Sequence, residues 1–231
     1  MSLISMLSLQ SVPPLAQAQE PPGPEANFSE IHRELARLNH LVTSEPHRTD
    51  LQLDRIRVLY LLALEDRDAL DEALRSIATL EPRALHQGPA FLPLLRAYEG
   101  ALEALKGKHA RWPPNKVSHV NDGLATLDAQ VKIAGQSAEI RYLRLVTGYY
   151  LPFFFRRGDV VQEDLRILRE TLPTIGVTPP GVKAVIARFL LEHGDPDQDQ
   201  RNALMAGWVR ACDALTRDHS ACVLRPETGA P

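Results

Sequence analysis

A chain of 231 residues and 25.7 kDa is long enough to bury a sizeable core. Its 26 Lys and Arg against 29 Asp and Glu give a net charge of -3, which argues against the strongly basic surface of a general nucleic-acid binder. Two cysteines exclude a disulfide-framework mini-protein and a four-cysteine zinc site, and no apolar run approaches the roughly 20 residues of a transmembrane helix.

Residues 1–26 differ from the rest. Leu3 to Leu9 is a short apolar stretch, Ala16-Gln17-Ala18 has the small-x-small pattern of a cleavage site, and a proline-rich stretch follows from Pro21 to Pro24. This resembles the back half of a secretory signal peptide, although no Lys or Arg precedes the apolar stretch and Gln10, Pro13 and Pro14 weaken it. The expectation is export to the periplasm or secretion; a disordered tail on a cytoplasmic protein is the alternative.

From residue 27 the apolar residues recur at helical spacing. Phe28, Ile31, Leu35, Leu38 and Val42 form one stripe, and Pro46 separates it from a run at Leu51 to Leu64. Leu70, Ala73, Leu74, Ile77 and Leu80 form the next, with Pro82 as its stop. Phe91 to Leu105 gives a fourth, and Val117 to Val131 a fifth ending at Gly135. Ile140 to Leu151 is broken near Pro152, and Val161 to Leu172 ends at Pro173. Thr178-Pro179-Pro180 reads as a helix start with a capping hydroxyl, leading to Val182, Ile186, Phe189 and Leu190 and a stop at Gly194. Acids from Asp195 to Asp199 open a last helix carrying Leu204, Trp208, Ala211 and Leu215. No segment alternates with a period of two. The pattern predicts an all-α domain over 27–216, about nine helices in antiparallel pairs, with an irregular tail over 217–231.

Residues 51–82 are similar to one tetratricopeptide-type helical hairpin, with Leu64-Glu65-Asp66 at the turn, Leu70-Asp71-Glu72-Ala73-Leu74 in the second helix and Leu80-Glu81-Pro82 at the close. Residues 117–151 resemble a second. No clean register of roughly 34 residues runs through the chain, so this likeness is one of architecture. A narrower likeness lies in Tyr98-Glu99-Gly100-Ala101, Lys106-Gly107-Lys108-His109-Ala110-Arg111-Trp112-Pro113-Pro114-Asn115-Lys116 and Glu139-Ile140-Arg141-Tyr142-Leu143-Arg144-Leu145. It resembles a family of small all-helical bacterial proteins that carry a Lys-His pair, a Trp, a Pro and a Lys, then a Glu-x-Arg-aromatic-Leu-Arg run. The Trp-to-Lys spacing is one residue short here. The resemblance implies a helical fold and no activity.

Catalytic signatures are sparse. There is no His-Glu-x-x-His run, Walker loop, dinucleotide glycine loop or Gly-x-Ser-x-Gly elbow. No two of the eight histidines lie three or four apart. Asp195, Asp197 and Asp199 begin like a calcium loop, but Gln200 and Ala206 occupy the positions that need Gly and Glu. No metal and no cofactor is expected. Cys212 and Cys222 could bridge, contributing on the order of 3 kcal/mol by loop closure, or could remain separate thiols. With His219 they fall short of a zinc ligand set.

Three segments carry candidate function. Lys106, Lys108, Arg111 and Lys116 lie in a stretch without acids, where Trp112 offers a flat face and His109 a donor. Cations at a helix C-terminus are the structural alternative. Arg141 and Arg144 are three apart in an apolar run, so each needs a carboxylate: Glu99 or Glu103 within the protein, or a ligand's anionic group, with Glu139 orienting one arginine and Tyr142 beside them. The run Tyr149 to Arg157 holds five of the thirteen aromatics. Burial in a helix junction is the expectation there, a membrane-surface or partner contact the alternative.

Together these point to a non-enzymatic binding or scaffold module. A protein or peptide partner would sit in a groove formed by Lys106, Lys108, His109, Trp112, Lys116, Glu139, Arg141, Tyr142 and Arg144. The alternatives are an enzyme or small-anion binder using His109, Glu139, Arg141 and Arg144, and a peripheral membrane protein using Tyr149 to Arg157.

Overall fold

The computed structural model describes residues 24–176, 178–215 and 222. Among them are nine α-helices and no strand: α1 (Pro24–Ser44), α2 (Thr49–Ala63), α3 (Arg67–Ala84), α4 (Phe91–His109), α5 (Pro113–Ala134), α6 (Ala138–Tyr149), α7 (Gly158–Thr171), α8 (Pro180–His193) and α9 (Gln198–Asp213). A single 3-10 turn, Phe153–Phe155, separates α6 from α7. The all-α reading holds. The signal-like segment and the C-terminal tail lie outside the described residues except at Pro24 to Ala26, where α1 has already begun, and at Cys222.

Local signals account for most helix ends. Asp66 accepts from the Asp68 amide at 2.8 Å to open α3, and Ser137 accepts from Ile140 at 3.4 Å to open α6. Asp197 and Gln200 form a reciprocal capping box at α9. Two expectations are corrected. Pro82 does not stop α3, which continues to Ala84, because a proline in the final turn removes one amide without breaking the turns before it. Thr178 does not cap α8: Pro179 holds the N-cap position with no side-chain bond, and Pro180 fills the first turn, where an amide is dispensable. Gly135 caps the end of α5 as its position predicts, in a right-handed conformation.

Consecutive helices pack side by side, and the even-numbered helices α2, α4, α6 and α8 also touch in order as a row. The tightest pair is α4 with α5. Gly100, Ala104 and Gly107 present almost no side chain to Gly123 and Val120, so the backbones approach closely. A Cβ on Gly123 would lie 2.4 Å from the Gly100 carbonyl oxygen and 2.6 Å from the Ala104 nitrogen.

Two apolar cores result. One gathers Leu53, Ile56, Leu59, Leu70, Ile77, Leu80, Leu95, Leu102 and Leu127 from α2 to α5. The other gathers Val161, Leu165, Leu168, Ile186, Leu190, Leu204 and Trp208 from α7 to α9. Helix α6 feeds both, with Ile140 and Leu143 on one side and Ala138 and Leu145 on the other. A disulfide joins Cys212 to Cys222, which packs against the second core.

Candidate functional site

The basic stretch closes α4 and opens α5. Lys106, Lys108 and His109 occupy the last turn of α4, where unpaired carbonyls favour cations. Trp112 takes the N-cap position of α5, and Pro113 and Pro114 fill the first turn. The two prolines hold the connection short and leave the Trp112 ring outside: it is 64% exposed. Beside it lies a recess of about 410 Å³ between α3, α4 and α5, lined by Arg67, Asp71, Lys106, His109, Arg111, Trp112, Asn115 and His119 among others.

The donors in this recess differ in availability. Lys106 donates to Glu103 at 2.7 Å, and His119 Nδ1 lies 2.8 Å from the other oxygen of the same carboxylate. Burial pushes Glu103 up, but these two partners outweigh it and hold the carboxyl below its ordinary value. His109 Nε2 donates to the Ala63 carbonyl at 3.0 Å. Lys108 leaves the recess: it donates to the Leu64 carbonyl and, at 2.8 Å, to Glu65. Arg67 and Arg111 form no ion pair among the described residues, and both are exposed. Lys116 is exposed on the first turns of α5, outside the lining. Among the described residues the recess therefore holds two uncommitted guanidiniums, one unpaired acid (Asp71) and an indole face.

The second half of the expected groove is elsewhere. Arg141 and Arg144 converge on Asp164 of α7, whose side chain is fully buried. Arg144 donates Nε and a terminal nitrogen to it, both at 2.8 Å, and Arg141 adds a third bond at 2.8 Å. Arg144 also reaches Asp128 at 3.4 Å, a carboxylate that Arg157 holds at 2.7 and 2.8 Å. Burial opposes the Arg144 charge, but Asp164 more than offsets it, and the guanidinium sits above its ordinary value. The expected partners Glu99 and Glu103 are corrected to Asp164 and Asp128. Glu99 binds Arg96 at 2.6 Å instead.

Glu139 does not orient either arginine. It is buried, takes two bonds from Arg57 at 2.7 Å each, and accepts from the Tyr98 hydroxyl at 2.6 Å. Burial, then the Glu139 charge, raises Tyr98 well above the usual phenol range. This cluster ties α2, α4 and α6 together. Tyr142 lies edge-on to Phe189 of α8, ring centres 5.6 Å apart. His109 lies eleven residues beyond Tyr98 along α4, roughly 16 Å at helical rise, so Glu139 and His109 share no site.

The aromatic run departs from its expectation. Phe153 is 92% exposed, Phe154 58% and Tyr150 67%. The 3-10 turn carries them past the end of α6, where neither core extends to cover them. Sequence reasoning also missed Asp164 and Arg57. Asp164 stands between Val161 and Leu168 on the apolar stripe of α7, an acid where the pattern asks for a hydrophobe. That misplaced charge was the available signal.

A wider depression of about 540 Å³ runs along α4 and α5 past Glu99, Glu103, Asp122 and Thr126. No group of three or more metal-ligating side chains forms among the described residues, and no helix there is long and apolar enough to cross a membrane. Comparison with known proteins finds no matching protein family, curated protein or solved structure.

Proposed function

We propose that the chain is an exported, non-enzymatic helical binding module that holds a carboxylate-bearing segment of a protein or peptide partner in the recess beside Trp112. The layered helices supply a rigid frame, as stacked helical hairpins do elsewhere. The observation that carries the reading is the exposed indole set beside two unpaired guanidiniums. A flat aromatic face takes an apolar side chain, while Arg67 and Arg111 offer paired N–H donors to a carboxylate. An enzymatic reading has less support: His109 is committed to a backbone carbonyl, and the other residues named for it lie in separate buried clusters.

The test is fluorescence anisotropy with a labelled peptide of alternating Glu and Phe. Binding is expected to weaken about tenfold or more in the double variant Trp112→Ala, Arg111→Ala, with unchanged helical circular dichroism. Equal binding by wild type and variant, or no saturable binding by either, refutes the reading.

A further inference from the structure

We propose that the turn Tyr150–Arg156 is a membrane-contact element that inserts its rings into the interface of a lipid bilayer. It is a second surface, separate from the recess.

The turn projects from the framework. Pro152 follows the end of α6, Phe153 to Phe155 make one 3-10 turn, and Arg156 adopts a left-handed conformation with φ 52 and ψ 44 that redirects the chain into α7. Phe154 packs against Phe155 with ring centres 4.7 Å apart and meets Phe153 edge-on at 6.2 Å, and Tyr149 meets Tyr150 edge-on at 5.1 Å. The outermost rings thus rest on their neighbours in the run, and the core does not shield them. Isolated exposed apolar side chains are ordinary, but Tyr150, Phe153 and Phe154 exposed within five residues form a patch.

The surroundings favour a bilayer as the occupant. Helices α4 and α6 both run antiparallel to α5, so the α4–α5 and α6–α7 connections share one end of the array, and Lys108 and His109 bring the α2–α3 connection to it as well. Tyr98 and Glu139 are in contact. From them α4 runs eleven residues to His109 and α6 ten to Tyr149, roughly 16 and 15 Å, so both connections reach the same level. That end presents Lys116 and Arg156, neither of which forms an ion pair among the described residues, together with the acids Asp66, Asp68 and Asp159, so its charge is mixed. Protruding aromatic rings with the unpaired Arg156 at their foot match the headgroup boundary, where rings sit among acyl carbonyls and a guanidinium meets lipid phosphate. A protein partner would need a matching pocket for a convex ridge; a fluid interface does not.

The experiment is co-sedimentation of the full chain with vesicles of three parts phosphatidylcholine to one part phosphatidylglycerol, and with phosphatidylcholine alone. Wild type is expected in the pellet with both kinds of vesicle, because ring insertion and not net charge drives the contact. The double variant Phe153→Ser, Phe154→Ser should partition about tenfold or more weakly while keeping its circular dichroism and its peptide binding at the recess. A Phe154→Trp variant should be quenched by brominated acyl chains. Wild type remaining in the supernatant overturns the proposal. So does equal sedimentation of wild type and double variant, or loss of self-association in the double variant without any vesicle binding by the wild type. Failure of peptide binding would overturn only the recess reading.

Discussion

Replacing Asp164 with alanine asks whether Arg141 and Arg144 hold the fold together or wait for a ligand. The carboxylate is fully buried and receives three bonds of 2.8 Å from two guanidiniums whose side chains are 15% and 8% exposed. Each such charge-assisted bond contributes about 1.5–3 kcal/mol in isolation, and the three are not additive. Removing the acid leaves two cations at the α6–α7 interface with weaker partners: Asp128 reaches Arg144 at 3.4 Å, Glu163 lies 3.8 Å from both, and Arg141 keeps the Gly135 carbonyl at 2.7 Å. Breaking a buried pair by deleting one partner costs about 3–5 kcal/mol, a large share of the roughly 5–15 kcal/mol that holds a domain together. Urea unfolding followed by circular dichroism should show that loss, and the thermal midpoint should fall by roughly 10 °C for a domain of this size. Asp164→Asn, which keeps the shape and one acceptor, should lose less. A cost below about 1 kcal/mol for Asp164→Ala would refute the reasoning and return the two arginines to the list of ligand donors.

Gly123→Ala should destabilise by about 1–3 kcal/mol in the same assay, because the new Cβ meets backbone atoms at 2.4 and 2.6 Å. Gly207→Ala in α9, with nothing within 4 Å of its Cβ, should stabilise by about 1 kcal/mol. Acid should also unfold the protein through Asp128 and Glu103. Burial raises both carboxyls, but their partners lower them further, so each sits below its ordinary value when folded. The unfolded chain then binds protons first, so the stabilisation is complete above the ordinary carboxylate range and is lost as pH falls through the depressed values. Unfolding free energy measured from pH 7 downwards should fall less steeply in Asp128→Asn than in wild type.

Helix identity was legible in the sequence because an amphipathic stripe is a local property. Leu59, Ile77, Leu102, Leu127, Leu168 and Leu190 are buried where their spacing places them. Caps of the Ser137 and Asp197 type are equally local. Partner choice is not. Two arginines in an apolar run announce that carboxylates lie opposite, but which helix supplies them depends on the packing of α6 against α7, and nothing near residue 141 encodes that. The recess beside Trp112 was half visible, since the lysines, His109 and Trp112 are contiguous; Arg67 and Asp71 enter it only because α3 lies against α4. The exposed phenylalanines were misjudged because three aromatics in sequence suggest burial, whereas a short turn beyond the helix end has no neighbour to bury them.

The two-sided packing of α6 has a mechanical corollary. With Ile140 and Leu143 set into one core and Ala138 and Leu145 into the other, this helix is the party wall of two rooms. A cut before it strips the N-terminal half of one boundary, and a cut after it does the same to the C-terminal half. At either cut one fragment loses a wall of its core and the other bares the far face of α6, so the two halves are expected to melt as one body.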